Sequence, residues 1–207
     1  MSDRRARWLA LWRRLGAGTD GEAELAEIER RYAEPGRHYH TLEHLDACLA
    51  RLDELRACGE RPDEAEMALW LHDLVWSARG TDDEGESARW AEQRLRAAGV
   101  APDVSARVGA LIRATRHDVP PHSPDAAVVL DADLAILGAD PDDFDRYEAQ
   151  VRAEYAHVPD EAFRAGRARI LRRFLERPSV YATAPMRAAR EWAAHVNLGR
   201  ALVRLES

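Results

Sequence analysis

The chain has 207 residues, 46% of them apolar and 32% charged, with a formal net charge of -7, the make-up of one water-soluble domain with a real core. The surplus of acid argues against a nucleic-acid polymer as partner, since non-specific binding to one runs on excess cation, and no apolar run approaches the roughly 20 residues of a membrane span. All 30 cationic residues are arginine, which excludes lysine Schiff-base chemistry, pyridoxal phosphate attachment and the P-loop lysine.

The opening Met-Ser-Asp-Arg-Arg-Ala-Arg-Trp lacks the apolar core of a signal peptide, which predicts a cytoplasmic protein. Trp8, Leu11, Trp12 and Leu15 recur at the helical period and predict a first helix closed by Gly16. Leu25, Ile28 and Tyr32 predict a second, stopped near Pro35-Gly36. After the loop Arg37-His38-Tyr39-His40, Thr41 is placed as the N-cap of a helix carrying Leu45, Cys48, Leu49, Leu52 and Leu55 on one face. The stretch Asp63 to Ser77 is apolar nearly all round and is predicted to be a central helix. Ala88, Ala91, Leu95 and Ala98 mark the next helix, and Val104, Val108, Leu111, Ile112 and Thr115 the one after. Val128 to Leu130 has strand propensity, but no partner strand is visible, so the segment from Ser123 to Gly138 is predicted helical. Phe144, Tyr147, Val151 and Tyr155 mark one further helix; Phe163, Ile170, Leu171, Phe174 and Leu175 mark another. Pro185 suits the first turn of the last helix.

The expected architecture is therefore all-α, a single domain over 1–207 built as a bundle of about ten helices. Its core covers about 30–198, with an N-terminal helix 3–15 and a C-terminal helix 185–206 packed on it. The tryptophan-rich first helix would suit a homodimer interface as well as its own core. Cys48 and Cys58 are ~15 Å apart if helical, too far for a disulfide, and Cys48 has the setting of a small core residue.

The pair His72-Asp73 lies inside the apolar run Met67 to Trp76. Burying an ionisable pair is costly unless a partner neutralises it, and a divalent cation would do so. Helical neighbours point about 100° apart, so both reach one ion only if it sits over that face. Other segments must complete the set: His44 in the first turn of the Thr41 helix, and a carboxylate from Asp131-Ala132-Asp133. Two imidazoles and two carboxylates suit one catalytic divalent ion of Mn, Fe, Co, Ni, Zn or Mg. The alternative is a satisfied core histidine beside a buried capping aspartate.

The order His44 … His72-Asp73 … Asp133 resembles the HD-domain superfamily of metal-dependent phosphohydrolases. The blocks Arg37-x-Tyr39-His40-Thr41-Leu42-x-His44, Trp70-Leu71-His72-Asp73-Leu74-Val75-Trp76, Glu84-x-x-Ser87-Ala88, Thr115-x-His117, Asp131 through Gly138, and Phe163-Arg164-x-Gly166-Arg167 resemble one bacterial branch of it, described as predicted phosphohydrolases. The similarity runs from about Arg30 to Leu198. It implies an HD-like helical fold and His44, His72, Asp73 and Asp133 as metal ligands. Asp133 rather than Asp131 matches the family's last carboxylate; Asp131 is the second candidate for it, or else holds a ligand histidine from behind. It further implies hydrolysis of a small phosphorylated metabolite, a nucleotide among the candidates. Asp73 would assist water deprotonation, and His40 and His117 would bind phosphate or protonate a leaving group. Arg37, Arg116 and Arg167 are the anion-binding candidates, and Glu84 would orient a water. Departures from the pattern are Asp83 for Asn, Trp76 for Tyr and His195 for Arg. Two other readings fit the same residues. One is a catalytically silent nucleotide- or metal-binding module; the other is a di-iron oxygenase drawing further ligands from His40, His117 and Glu84.

Overall fold

The computed structural model describes residues 2–79 and 82–207. The regular structure among them is all helical: α1 (Ser2–Arg14), α2 (Glu22–Tyr32), α3 (Leu42–Leu55), α4 (Pro62–Leu71), α5 (Asp83–Ala97), α6 (Pro102–Ala114), α7 (Pro124–Asp133), α8 (Pro141–Glu154), α9 (Asp160–Leu175) and α10 (Ala184–Glu206). Short 3-10 turns follow α3 at Arg56–Cys58 and α7 at Leu134–Gly138. Proline opens α4, α6, α7, α8 and α10, where its fixed φ suits a helix and its missing N–H would have had no helical partner. Among the described residues no helix is long and apolar enough to cross a membrane.

The apolar stretch predicted to be central is central. α4 is buried from Glu64 to Leu71 and packs against α1, α3, α6 and α7. One cluster of buried side chains surrounds it, running from Trp8 to Ala201. α1 packs its tryptophans into this core. Trp8 stacks on Trp12 at 5.2 Å and meets Trp70 of α4 edge-on at 5.2 Å. Gly21 turns the chain into α2 at φ +76°, where a Cβ would stand 2.7 Å from the Trp12 ring.

α4 ends earlier than predicted. The helix stops at Leu71, and His72 is its C-cap. The backbone beyond it finds partners from distant residues instead of its own next turn. Arg37 donates to the carbonyls of Asp73 and Leu74 at 2.7 and 2.9 Å, and Val75 N–H donates to Ser87 Oγ at 2.9 Å. The chain therefore turns away at Asp73, and the pair His72-Asp73 hangs from a helix end.

α7 is the second central helix, packed on α3 and α4. Ser123 caps it by accepting from Ala126 N–H at 3.1 Å. The 3-10 turn that follows it is tied to α10, where Asn197 donates to the carbonyls of Leu137 and Ala139 at 3.0 and 2.9 Å. Asp131 accepts from the N–H groups of Ala182 and Thr183 at 2.8 and 2.7 Å, and from Thr183 Oγ1 at 2.6 Å.

Candidate metal centre

Three helix ends converge on one point. His44 is the third residue of α3, whose start is capped by Thr41 accepting from Glu43 N–H at 3.3 Å. His72 caps the end of α4, Asp73 follows it, and Asp133 is the last residue of α7. The Nε2 atoms of His44 and His72 are 3.3 Å apart. Asp73 Oδ2 lies 3.4 Å from the first and 3.0 Å from the second. Asp133 Oδ1 lies 3.2 and 3.5 Å from the same two atoms. Separations of 3.0–3.5 Å are those between ligand atoms that each stand about 2 Å from a shared centre.

Asp73 Oδ2 is the sharpest indicator. It is buried and has no hydrogen-bond partner, although two imidazole nitrogens stand 3.0 and 3.4 Å away. The approach is close but off the axis of a ring N–H. Co-ligands of one ion meet in this way; a buried hydrogen-bonded pair does not. His72 is oriented for the same purpose. Its Nδ1 lies 2.9 Å from the Leu69 carbonyl, which can only accept, so Nδ1 carries the proton and neutral His72 presents the Nε2 lone pair inward. With both imidazoles neutral the four groups carry a net charge of about -2, which a divalent cation cancels. The C-terminal ends of α4 and α7 add their partial negative charge. The donor set fits a divalent ion.

Among themselves the four groups balance as imidazolium and carboxylate. Burial pulls the His44 pKa down, but Cys48, Tyr39 and the Asp133 and Asp73 carboxylates outweigh it and hold it well above the usual value. His72 moves the same way, burial being outweighed by Asp73 first. Burial raises the carboxyl pKa of Asp73 and Asp133, but the surrounding histidines carry both well below the usual range.

A ring of further residues supports the cluster. His117 is buried at the turn after α6 with φ +54°, a left-handed conformation unusual for a side chain of its size. Its Nε2 donates to Asp133 Oδ2 at 2.8 Å, leaving Oδ1 for the cluster, and its Nδ1 is buried without a partner. His40 donates from Nδ1 to Glu154 Oε2 at 2.7 Å. Its ring stacks on Trp76 at 5.7 Å and stands 6.0 Å from that of His44, centre to centre. Glu154 also accepts from the N–H groups of His38, Tyr39 and His40 at 2.8, 2.9 and 3.0 Å. Burial raises its pKa, but His40 and these N–H groups leave it below the usual carboxylate range.

The sequence-predicted residues thus divide. His44, His72, Asp73 and Asp133 come together, with His117 and His40 beside them. Asp131 does not hold a ligand histidine, because its carboxylate is taken by the backbone and hydroxyl at the start of α10. Arg37 lies close, but its guanidinium is buried against carbonyls and the faces of Tyr32 and Trp76. Arg167 is paired with Glu148 and Tyr147, and Arg116 with Asp82. Glu84 is half-buried 3.9 Å from Arg116, its pKa raised by burial. Glu154 was not foreseen. Neither was Cys48, which lies within 4.8 Å of donor atoms on His44, His72 and Asp133. A cavity of about 800 Å³ adjoins the cluster, its walls including His44, Cys48, Asp133, Tyr147, Arg190 and Trp192. Comparisons with protein-family models, curated proteins and solved structures find no match to this chain.

Proposed function

We propose that this protein is a metal-dependent hydrolase of a phosphoester or phosphoanhydride bond in a small metabolite. The observation that carries the reading is the convergence of the His44 and His72 Nε2 atoms with one oxygen each of Asp73 and Asp133, every nitrogen–oxygen and nitrogen–nitrogen separation being 3.0–3.5 Å and the Asp73 oxygen buried with no hydrogen bond. The likeness of the same residues to the HD-domain ligand pattern supports it. His44, His72, Asp73 and Asp133 would hold the ion. A divalent ion so held lowers the pKa of a bound water and polarises a phosphoryl oxygen. Asp73 would accept the proton from that water. His117 fixes the orientation of Asp133. Glu154 fixes the Nδ1 proton of His40, leaving Nε2 to exchange a proton with a phosphate oxygen or leaving group. The test is phosphate release across nucleotides, sugar phosphates and pyrophosphate with Mn, Co, Ni, Mg and Zn, beside a His72→Ala/Asp73→Ala control. Turnover absent from the control supports the assignment; equal release from both removes it.

A further inference from the structure

Cys48 stands one turn after His44 on α3, with Sγ 3.7 and 3.6 Å from the two ring nitrogens of that histidine. The side chain is 1% exposed, yet it forms part of the wall of the cavity beside the cluster. The sulfur and one donor atom each of His44, His72 and Asp133 all lie within 4.8 Å of one another. Two quartets therefore overlap. They share His44, His72 and Asp133 and differ in the fourth member, the hard carboxylate oxygen of Asp73 or the soft sulfur of Cys48. Sγ is nearly as close to Nδ1 as to Nε2 of His44, so it stands beside the ring, short of the position a co-ligand of Nε2 would take about 3.5 Å from that nitrogen.

We propose that Cys48 is an alternative fourth ligand, used when the centre takes a thiophilic ion such as Zn or Cd, while Asp73 serves harder ions such as Mn and Mg. The proposal rests on the metal-centre reading above. Hard and soft ions differ in this preference by the polarisability of the donor. On binding, the thiol proton leaves to the buffer as the sulfur–metal bond forms, and neither partner changes oxidation state. The sulfur must swing toward the shared centre, a rotation about Cα–Cβ of the kind that separates staggered rotamers.

The test is a titration of the metal-free, reduced full chain with Cd(II), following the ultraviolet sulfur-to-metal charge-transfer band, and in parallel with Mn(II), following free Mn(II) by electron paramagnetic resonance. Wild type, Cys48→Ser, Cys48→Ala, Cys58→Ser and Asp73→Asn are compared. Expected is a band that saturates at one Cd(II) per chain in wild type and Cys58→Ser. In Cys48→Ser and Cys48→Ala it disappears and Cd(II) affinity drops at least about tenfold, while Mn(II) affinity changes less than about threefold. Asp73→Asn is expected to reverse that order. The chain has two cysteines, so a band retained in Cys58→Ser belongs to Cys48 even if the Cys48 variants fail to fold. Stoichiometric Cd(II) binding with no band, or a band lost in Cys58→Ser, overturns the proposal and leaves the metal centre standing. Wild type that takes up neither Mn(II) nor Cd(II) overturns both.

Discussion

Glu66 in the middle of α4 and Asp73 just past its C-terminal end are neutralised in opposite ways. Glu66 is 1% exposed and is enclosed by arginines: Arg7 Nε at 2.7 Å, Arg14 at 3.6 Å, and Arg56. A guanidinium never gives up its proton in a protein, so this group is closed and no ion can enter it. Asp73, just past the C-terminal end, faces histidines. An imidazole can lose its proton and turn a lone pair to the same point. The middle of the helix holds a permanent ion-pair network; its C-terminal end is balanced in a form that a cation can replace. A carboxylate withdrawn from water thus reads as structural or functional according to the base set against it.

That contrast can be broken by experiment. The largest effect is expected from His72→Ala, which should abolish stoichiometric Mn or Co uptake and lower phosphate release at least about a thousandfold, or about 4 kcal/mol. Equilibrium dialysis and a phosphate assay read the two. Glu66→Ala should act only on stability, lowering the unfolding free energy in urea by about 3 kcal/mol because three arginines lose their shared partner; its metal stoichiometry should match wild type. Chelating Mn(II) should destabilise the wild-type protein by about 2.7 kcal/mol relative to a sample at one hundred times its Kd, and Glu66→Ala should show the same loss while Asp73→Asn shows about half of it or less. Glu154→Gln removes the charge that holds the His40 loop, and turnover should drop about tenfold, or about 1.4 kcal/mol, with metal uptake kept. At the lower end, Arg5→Ala breaks only an exposed pair with Glu22 and should change stability by less than about 1 kcal/mol.

The helices and the four clustered donors were legible because their signals are local. Amphipathic spacing, prolines at helix starts and an ionisable pair in an apolar run can be read within a few residues. What was missed depends on partners far away in the chain. The continuous apolar run through Trp76 hides the end of α4, since the group that takes its carbonyls is Arg37. Glu154 meets residues more than one hundred positions away, and nothing beside it in the sequence announces that. Asp131 and Asp133 look interchangeable as letters, yet two residues on a helix point about 200° apart. One therefore turns to the cluster and the other to the start of α10. Cys48 shares its face with Leu45 and Leu49, and the same spacing that made it look like core places it over His44.

Every donor in the cluster is borne at a helix terminus, and no two of those termini are joined by a short loop. The centre is thus assembled only when α3, α4 and α7 have docked in register, and it comes apart as soon as one of them slips. A spectroscopically visible ion such as Co(II) would then report the last step of assembly rather than helix formation, its absorption appearing after the far-ultraviolet circular dichroism has already reached its native value.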